Sequence, residues 1–323
     1  MTFYASLTRA ACALALTAMP ALAELPVLTI ASQAGGTVAW ELETIRHHGL
    51  DEAQGFRLEI QEVAGKAAGQ IAFQGGEVDV IVDDWIWVAR QRAAGQDITF
   101  VPYSRAVGGV MVPADSPAQS LQDLAGGKIG IAGGPNDKSW IILRAYMAQH
   151  GFDLKAETEQ VYGAPPLIFQ TARAGELDGA INFWHFMARQ EAAGMRHLIS
   201  VAEAAEALGM DPDMPLLGYV VQSALVDENP DLVEAFATAS RAAKELLAES
   251  DADWERLRPM MNAADEAQFD ALVAGFRAGI PGEGPINEDS ARVMFRLMVE
   301  LGGEDLVGSA TELPAGVFVP LGS

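Results

Sequence analysis

The sequence predicts an α/β fold, with largely parallel strands covered by helices on both faces and arranged in two successive units. Three observations carry this. Short apolar runs alternate with helical stretches over most of the chain, the alternation restarts after Gly108-Gly109, and the pattern from residue 230 onward is mainly helical.

In the first unit, residues 27–31 read as a strand, and Gln33 to Thr37 as a glycine-containing loop opening a helix through Trp40, Leu42 and Ile45 to about His48. Residues 56–63 alternate apolar and polar, as a half-buried strand does. A helix around Ile71 follows the Gly65-Lys66 loop and stops at Gly75-Gly76. The apolar run 78–82 then reads as a buried strand ending at Asp83-Asp84, with a helix over 85–94 and a strand over 98–101. In parallel sheets, ligands bind beyond the carboxyl ends of the strands. The loops at Gln33, Gly65 and Asp83 are therefore where chemistry is expected, which brings in Gln33, Thr37 and Lys66.

The second unit opens with the apolar residues 110–112, a turn over 113–117 and a short helix over 121–124. A strand over 128–132 leads through Gly133 to Ser139 into a helix over 140–150. Strands are expected at 157–161, 178–182 and 197–201, with helices at 165–174 and 186–193. Residues 217–222 read as a strand returning to the first unit. Helices at 230–248, 252–261, 264–274 and 289–301 complete the chain, broken by the Gly/Pro-rich segment 279–285.

The first 23 residues read as an address. Arg9 precedes the apolar run 10–19, and Ala21-Leu22-Ala23 supplies the small-x-small pattern for cleavage after Ala23. The run is shorter than the roughly 20 apolar residues that span a bilayer. Cys12 lies inside it, with Arg9 three residues before, which makes a poor lipidation site. Cleavage leaves no cysteine, so a thiol nucleophile, a disulfide and a Cys-ligated zinc are excluded. The 44 acidic residues against 21 Lys and Arg repel phosphates, and no basic stripe offsets them, so nucleic acid is not an expected partner.

No catalytic constellation emerges. His47, His48, His150, His185 and His197 lack zinc-ligand spacing, and Gly-x-Ser-x-Gly and phosphate-cradling motifs are absent. No enzyme activity, metal or cofactor is expected. The binding candidates are of two kinds. Gly133 to Ser139 opens a helix whose free N–H groups and dipole suit an anion, with Ser139 and Lys138 adding donors; alternatively Asn136 or Asp137 simply caps that helix. Asp83 and Asp84 suit a ligand with N–H donors, with Trp85 or Trp87 as a flat wall; alternatively one of them caps the following helix and the other faces water. Trp40, Tyr103 and Arg105 are lesser candidates, Arg105 as a partner of a ligand carboxylate or of Asp83 or Asp84.

Several segments together resemble the nitrate/taurine/sulfonate group of ABC substrate-binding proteins, which also contains binders of thiamine precursors. They are Gly75-Gly76-Glu77-Val78-Asp79-Val80, Ser116-Pro117 with Leu121 to Gly130, Ala174 to Ala180 with Trp184 just after, and Asn229-Pro230 before a long helix. The resemblance implies a type II bilobal fold, two mixed sheets flanked by helices and joined by a two-crossover hinge. Lobe 1 would hold 24–108 and 218–323, and lobe 2 would hold 109–217. It also places Trp184, with His185 beside it, close to the ligand. Its sulfonate and nitrate binders have no need of two acids at Asp83-Asp84, which is a departure.

The expected function is a periplasmic solute-binding component that hands a small molecule to an ABC permease. The ligand would be a zwitterion, an amine-bearing heterocycle, or a sulfonate or carboxylate. Two alternatives stand beside it: a periplasmic accessory protein that uses the fold for protein contacts, and an enzyme like the pyrimidine-precursor synthases.

Overall fold

The computed structural model describes residues 24–319 apart from 212, 283 and 285; the expected signal segment 1–23 lies outside the described residues. The chain builds two five-stranded mixed sheets. The first contains β1 (Val27–Gln33), β2 (Arg57–Val63), β3 (Val80–Asp84), β4 (Ile98–Ser104) and β10 (Leu217–Gln222), in the order β2-β1-β3-β10-β4. The second contains β5 (Gly109–Val112), β6 (Lys128–Ala132), β7 (Glu159–Gly163), β8 (Gly179–Asn182) and β9 (Arg196–Ser200), in the order β7-β6-β8-β5-β9.

Both sheets follow one plan. β1 pairs in parallel with β2 and β3, as β6 does with β7 and β8. One strand in each runs against its neighbours: β10 is antiparallel to β3 and β4, and β5 to β8 and β9. Each of these is the strand that arrives from the other sheet. The sheets are mixed, as the family resemblance implies, and the strand–helix alternation, which suggests parallel strands, does not mark the strand that enters from the other sheet.

The flanking helices of the first sheet are α1 (Val38–His47), α2 (Leu50–Ala53), α3 (Lys66–Gln74) and α4 (Trp85–Ala93). Those of the second are α5 (Lys138–Gln149), α6 (Pro165–Arg173), α7 (Trp184–Ala192) and α8 (Val201–Ala207). A 3-10 turn covers Leu121–Leu124. The C-terminal part holds α9 (Ser223–Glu228), α10 (Pro230–Glu249), α11 (Asp251–Met261), α12 (Glu266–Ala278) and α13 (Glu288–Val307). Local chemistry accounts for several starts. Pro165 and Pro230 open α6 and α10, where a missing N–H costs nothing. Asp265 and Asn287 cap α12 and α13, and a Ser200–Glu203 capping box starts α8.

Some boundaries differ from the expectation. β3 begins at Val80 and takes in Asp83 and Asp84, and α5 and α7 start early enough to include Lys138 and Trp184. β7 lies two residues later than expected, and α2, α8 and α9 were not foreseen.

Two C-terminal helices reach beyond the first sheet. α12 packs on α7, and α13 lies against both α4 and α5. One continuous core therefore joins Trp85 and Ile86 of α4, Phe295 and Met298 of α13, and Trp140 and Ile141 of α5. All six are at most 1% exposed, and burying a large apolar side chain contributes about 1.5–3 kcal/mol. No helix among the described residues is long and apolar enough to cross a membrane.

Candidate functional site

The carboxyl ends of the parallel strands of both sheets converge on one cavity of about 210 Å³. The first sheet contributes Gln33 from the end of β1, Val63 from β2, Asp83 from β3 and Tyr103 from β4. From the second come Lys138 and Ser139 of α5, Phe183 to His185 at the start of α7, and Val201 of α8. The two connections between the sheets, through Ala106 to Gly108 and Leu216 to Leu217, close the remaining side.

A network of four charges dominates the polar wall. The Lys66 ammonium lies 2.7 Å from Asp83 Oδ1 and 3.3 Å from Asp84 Oδ2. Lys138, from the second sheet's side, lies 3.3 Å from the same Asp84 oxygen. Asp84 Oδ1 accepts the Trp87 backbone N–H at 2.9 Å and so caps α4. Asp83 accepts from its neighbour's backbone N–H at 2.7 Å through Oδ1 and from Gln70 Nε2 at 2.7 Å through Oδ2. Burial opposes charge on Asp84, but Lys138 and Lys66 outweigh it and hold its carboxyl well below the usual range. Burial pushes the Asp83 carboxyl up, with Lys66 pulling the other way. Burial also works against the Lys66 cation, yet Asp84 and Asp83 together raise its pKa above the ordinary value.

This corrects the picture of two aspartates waiting for an amine. Asp84 is the cap, and neither carboxylate faces the cavity unpartnered. Trp85 is also corrected as a ligand wall: it is fully buried, packed near Phe295 and Phe318. Trp87 is part-buried against the same core. Asn136 is exposed and outside the cavity lining, while Asp137 caps α5 by accepting the N–H groups of Ser139 and Trp140 at 2.9 and 3.3 Å. Arg105 pairs with Asp213 and donates to the Ala278 carbonyl, not to Asp83 or Asp84. Gln33, Thr37, Lys66, Asp83, Lys138, Ser139, Trp184 and His185 all line the one cavity.

The aromatic wall has its own support. Trp184 stands edge-on to Trp40 at 6.1 Å, and Trp40 in turn meets Trp254 and Phe276. Gly275 of α12 lets this happen, since a β-carbon there would fall 2.8 Å from the Trp184 ring. Trp40, 2% exposed, is thus a supporting residue behind the wall. Phe183 lines the cavity beside Trp184, and nothing in the sequence singles it out.

His185 is desolvated, and with Arg189 nearby its pKa falls from 6.5 to about 4. The unfolded chain takes up this proton near pH 6.5 and the folded chain only near 4, so the residue's contribution to stability is full above 6.5 and is lost as the pH falls through that window. Imidazole resonances of His185 should report the neutral ring at pH 7 and titrate near 4; a midpoint near 6.5 would show a solvated ring.

Behind the first-sheet wall lies a second, buried network. Glu41, fully buried on α1, accepts from Tyr219 Oη at 2.7 Å and Ser240 Oγ at 2.6 Å, and its other oxygen lies 2.7 Å from Lys244 Nζ. The same ammonium stands 4.9 Å from the centre of the Tyr103 ring. Tyr103 and Thr37 both line the cavity. Burial, with Glu41 adding to it, raises the pKa of Tyr103 and Tyr219 well above the ordinary value, so both hydroxyls stay protonated. No signal in the sequence links Glu41 to Lys244, 203 residues apart; only the fold does. Among the described residues, no group of three His, Cys, Asp or Glu stands ready to hold a metal.

Solved structures share this fold. The aliphatic sulphonate binding protein SsuA of Escherichia coli is 18% identical, covering 92% of this chain and 98% of its own, with a TM-score of 0.71. SsuA of Xanthomonas axonopodis pv. citri, an alkanesulfonate-binding protein bound to MOPS, is 18% identical over 92% and 99%, with a TM-score of 0.68. The nitrate-binding protein NrtA of Synechocystis PCC 6803 is 11% identical over 77% and 69%, with a TM-score of 0.56. No curated protein sequence matches the chain. A family model described as NMT1/THI5 like matches residues 46–252, well over half of the sequence, and the chain belongs to that family.

Proposed function

We propose that the protein is an exported solute-binding component of an ABC importer, which captures a small organic molecule between two lobes without transforming it. The observation that carries this reading is the single cavity formed where the strand ends of two similarly built sheets face each other, lined from both sides and from both connections. The fold shared with solved sulphonate- and nitrate-binding proteins supports it. In this reading residues 24–108 and 218–323 act as one lobe and 109–217 as the other. Ligand bridges them, the closed form gains population, and a membrane permease recognises that form. The segment 1–23 directs export and is removed after Ala23.

The test is the thermal transition of the protein, unfolded and refolded to strip carried ligand, against sulfonates, nitrate, amino acids and pyrimidines. A ligand at a hundred times its dissociation constant stabilises by about 2.7 kcal/mol, a clear rise in Tm. One saturating ligand supports capture. A transition that no small molecule moves would favour protein–protein contact instead.

A further inference from the structure

We propose that the cavity selects an uncharged, largely apolar small molecule bearing hydrogen-bond acceptors, and that its four charged side chains serve to exclude ions and not to bind them. This deepens the solute-capture reading and rests on it.

Lys66, Lys138 and Asp83 line the cavity, and the Asp84 carboxylate behind them, 3.3 Å from both ammoniums, brings the formal charge to zero. Two ammoniums, Lys66 and Lys138, meet two carboxylates, Asp83 and Asp84, at 2.7–3.3 Å. Asp84 cannot swing aside, because it caps α4, and Asp83 is held by Gln70 and a backbone N–H. An incoming anion would have to displace a carboxylate tethered in place, and an incoming cation would have to displace the Lys66 and Lys138 ammoniums from these carboxylates. Displacing a carboxylate leaves a buried charge without its partner, which is the costly outcome in a buried site, and displacing Lys138, whose side chain is 20% exposed, does much the same; Lys66 is half exposed. His185 adds no charge at neutral pH.

The helix starts point the same way. Asp137 fills the N-terminus of α5 and Asp84 that of α4, so two places suited to an anion are taken by the chain's own carboxylates. The starts of α1, α3 and α7, at Thr37, Gly65 and Phe183, have no side-chain cap and all lie on the cavity lining. Their free N–H groups suit the partial negative charge of a carbonyl or ring nitrogen. Most of the remaining wall is apolar, through Val63, Ile81, Val107, Ile142, Trp184 and Leu216, with Gln33, Thr37, Tyr103 and Ser139 among its polar members. The cavity, about 210 Å³, is smaller than the ~300–1,000 Å³ typical of drug-sized sites, so the ligand is small.

The experiment uses one ring with four end groups: benzamide, benzoate, benzenesulfonate and benzylamine, measured by calorimetry and thermal shift. Wild-type protein should bind benzamide at least roughly tenfold more tightly than the three ions. Asp84→Asn keeps a capping oxygen while releasing Lys138 and Lys66, and should gain roughly tenfold for benzenesulfonate. Where that variant fails to fold, Lys138→Met gives the converse, a gain for benzylamine. Wild-type preference for benzoate or benzenesulfonate over benzamide would overturn the selectivity and leave solute capture standing. No binding of any probe by folded wild type and folded Asp84→Asn would remove the capture reading and the proposal with it.

Discussion

Lys244→Ala should lower the free energy of unfolding by about 3–5 kcal/mol, because it strands the Glu41 carboxylate in the core of the first sheet's layer. Glu41 is fully buried and its Oε2 has Lys244 as its ion-pair partner at 2.7 Å, while Tyr219 and Ser240 donate to Oε1. Burial holds the Lys244 pKa below its ordinary value, with Glu41 opposing it only in part. The cost of the single change is the cost of the orphan. Glu41→Gln/Lys244→Met keeps an acceptor for both hydroxyls and removes both charges, so it should recover most of the loss. Denaturant midpoints for Lys244→Met, Glu41→Gln and the double form the cycle that checks this, with Lys244→Ala measured beside them. Equal losses in Lys244→Ala and in the double variant would mean that packing, and not charge, is what Lys244 supplies.

The same change should also reach the cavity. Lys244 stands against the Tyr103 ring, which lines the cavity with Thr37 at the start of α1. A buried ion pair is often no better for stability than a well-packed apolar pair. Here its placement against the Tyr103 ring gives it a second consequence, which is to support one side of the cavity wall.

What the sequence revealed and what it hid divide along physical lines. Alternation and glycine punctuation place nearly every strand, since these are local signals, and the family-like segments imply two sheets. The antiparallel strands β5 and β10 carry no local mark of their direction; that depends on where the chain re-enters. The acidic pair Asp83-Asp84 was visible as an oddity, but its partners come from α3 and α5, up to 54 residues away, so the amine-binding reading could not be weighed against Lys66 and Lys138. Trp85 shows the same limit. A tryptophan next to a presumed site reads as a wall, and only tertiary packing shows it turned to the opposite side, against α13. One missed helix was legible: Ser200-Val201-Ala202-Glu203 is a capping box, and it starts α8.

Gly108-Gly109 was legible as a boundary, and the structure turns that boundary into a close approach with a large expected effect. A β-carbon placed on Gly108 falls 1.8 Å from the Asn182 carbonyl oxygen. A side chain would yield to such a clash, but this neighbour is backbone at the end of β8. It can move only with Asn182, whose side chain accepts the Phe183 N–H at 2.9 Å and donates to the Pro165 carbonyl at 3.1 Å. Relieving the clash therefore displaces Phe183 and the start of α7, which is the aromatic side of the cavity. Overpacking typically costs 1–3 kcal/mol where side chains can adjust, so Gly108→Ala should cost about 3 kcal/mol or more. It should also abolish any ligand-induced rise in Tm. Gly65→Ala is the matched comparison: Gly65 lines the same cavity, its φ of 170° is ordinary extended backbone, and a β-carbon there meets nothing within 4 Å. That change should stay within about 0.5 kcal/mol of wild type. If urea midpoints showed both variants near wild type, the connection through 105–108 would be loose, and cavity geometry would not depend on this crossing. A loss confined to Gly108→Ala would establish that the two sheets are registered against each other by backbone contact at the point where the chain first passes between them.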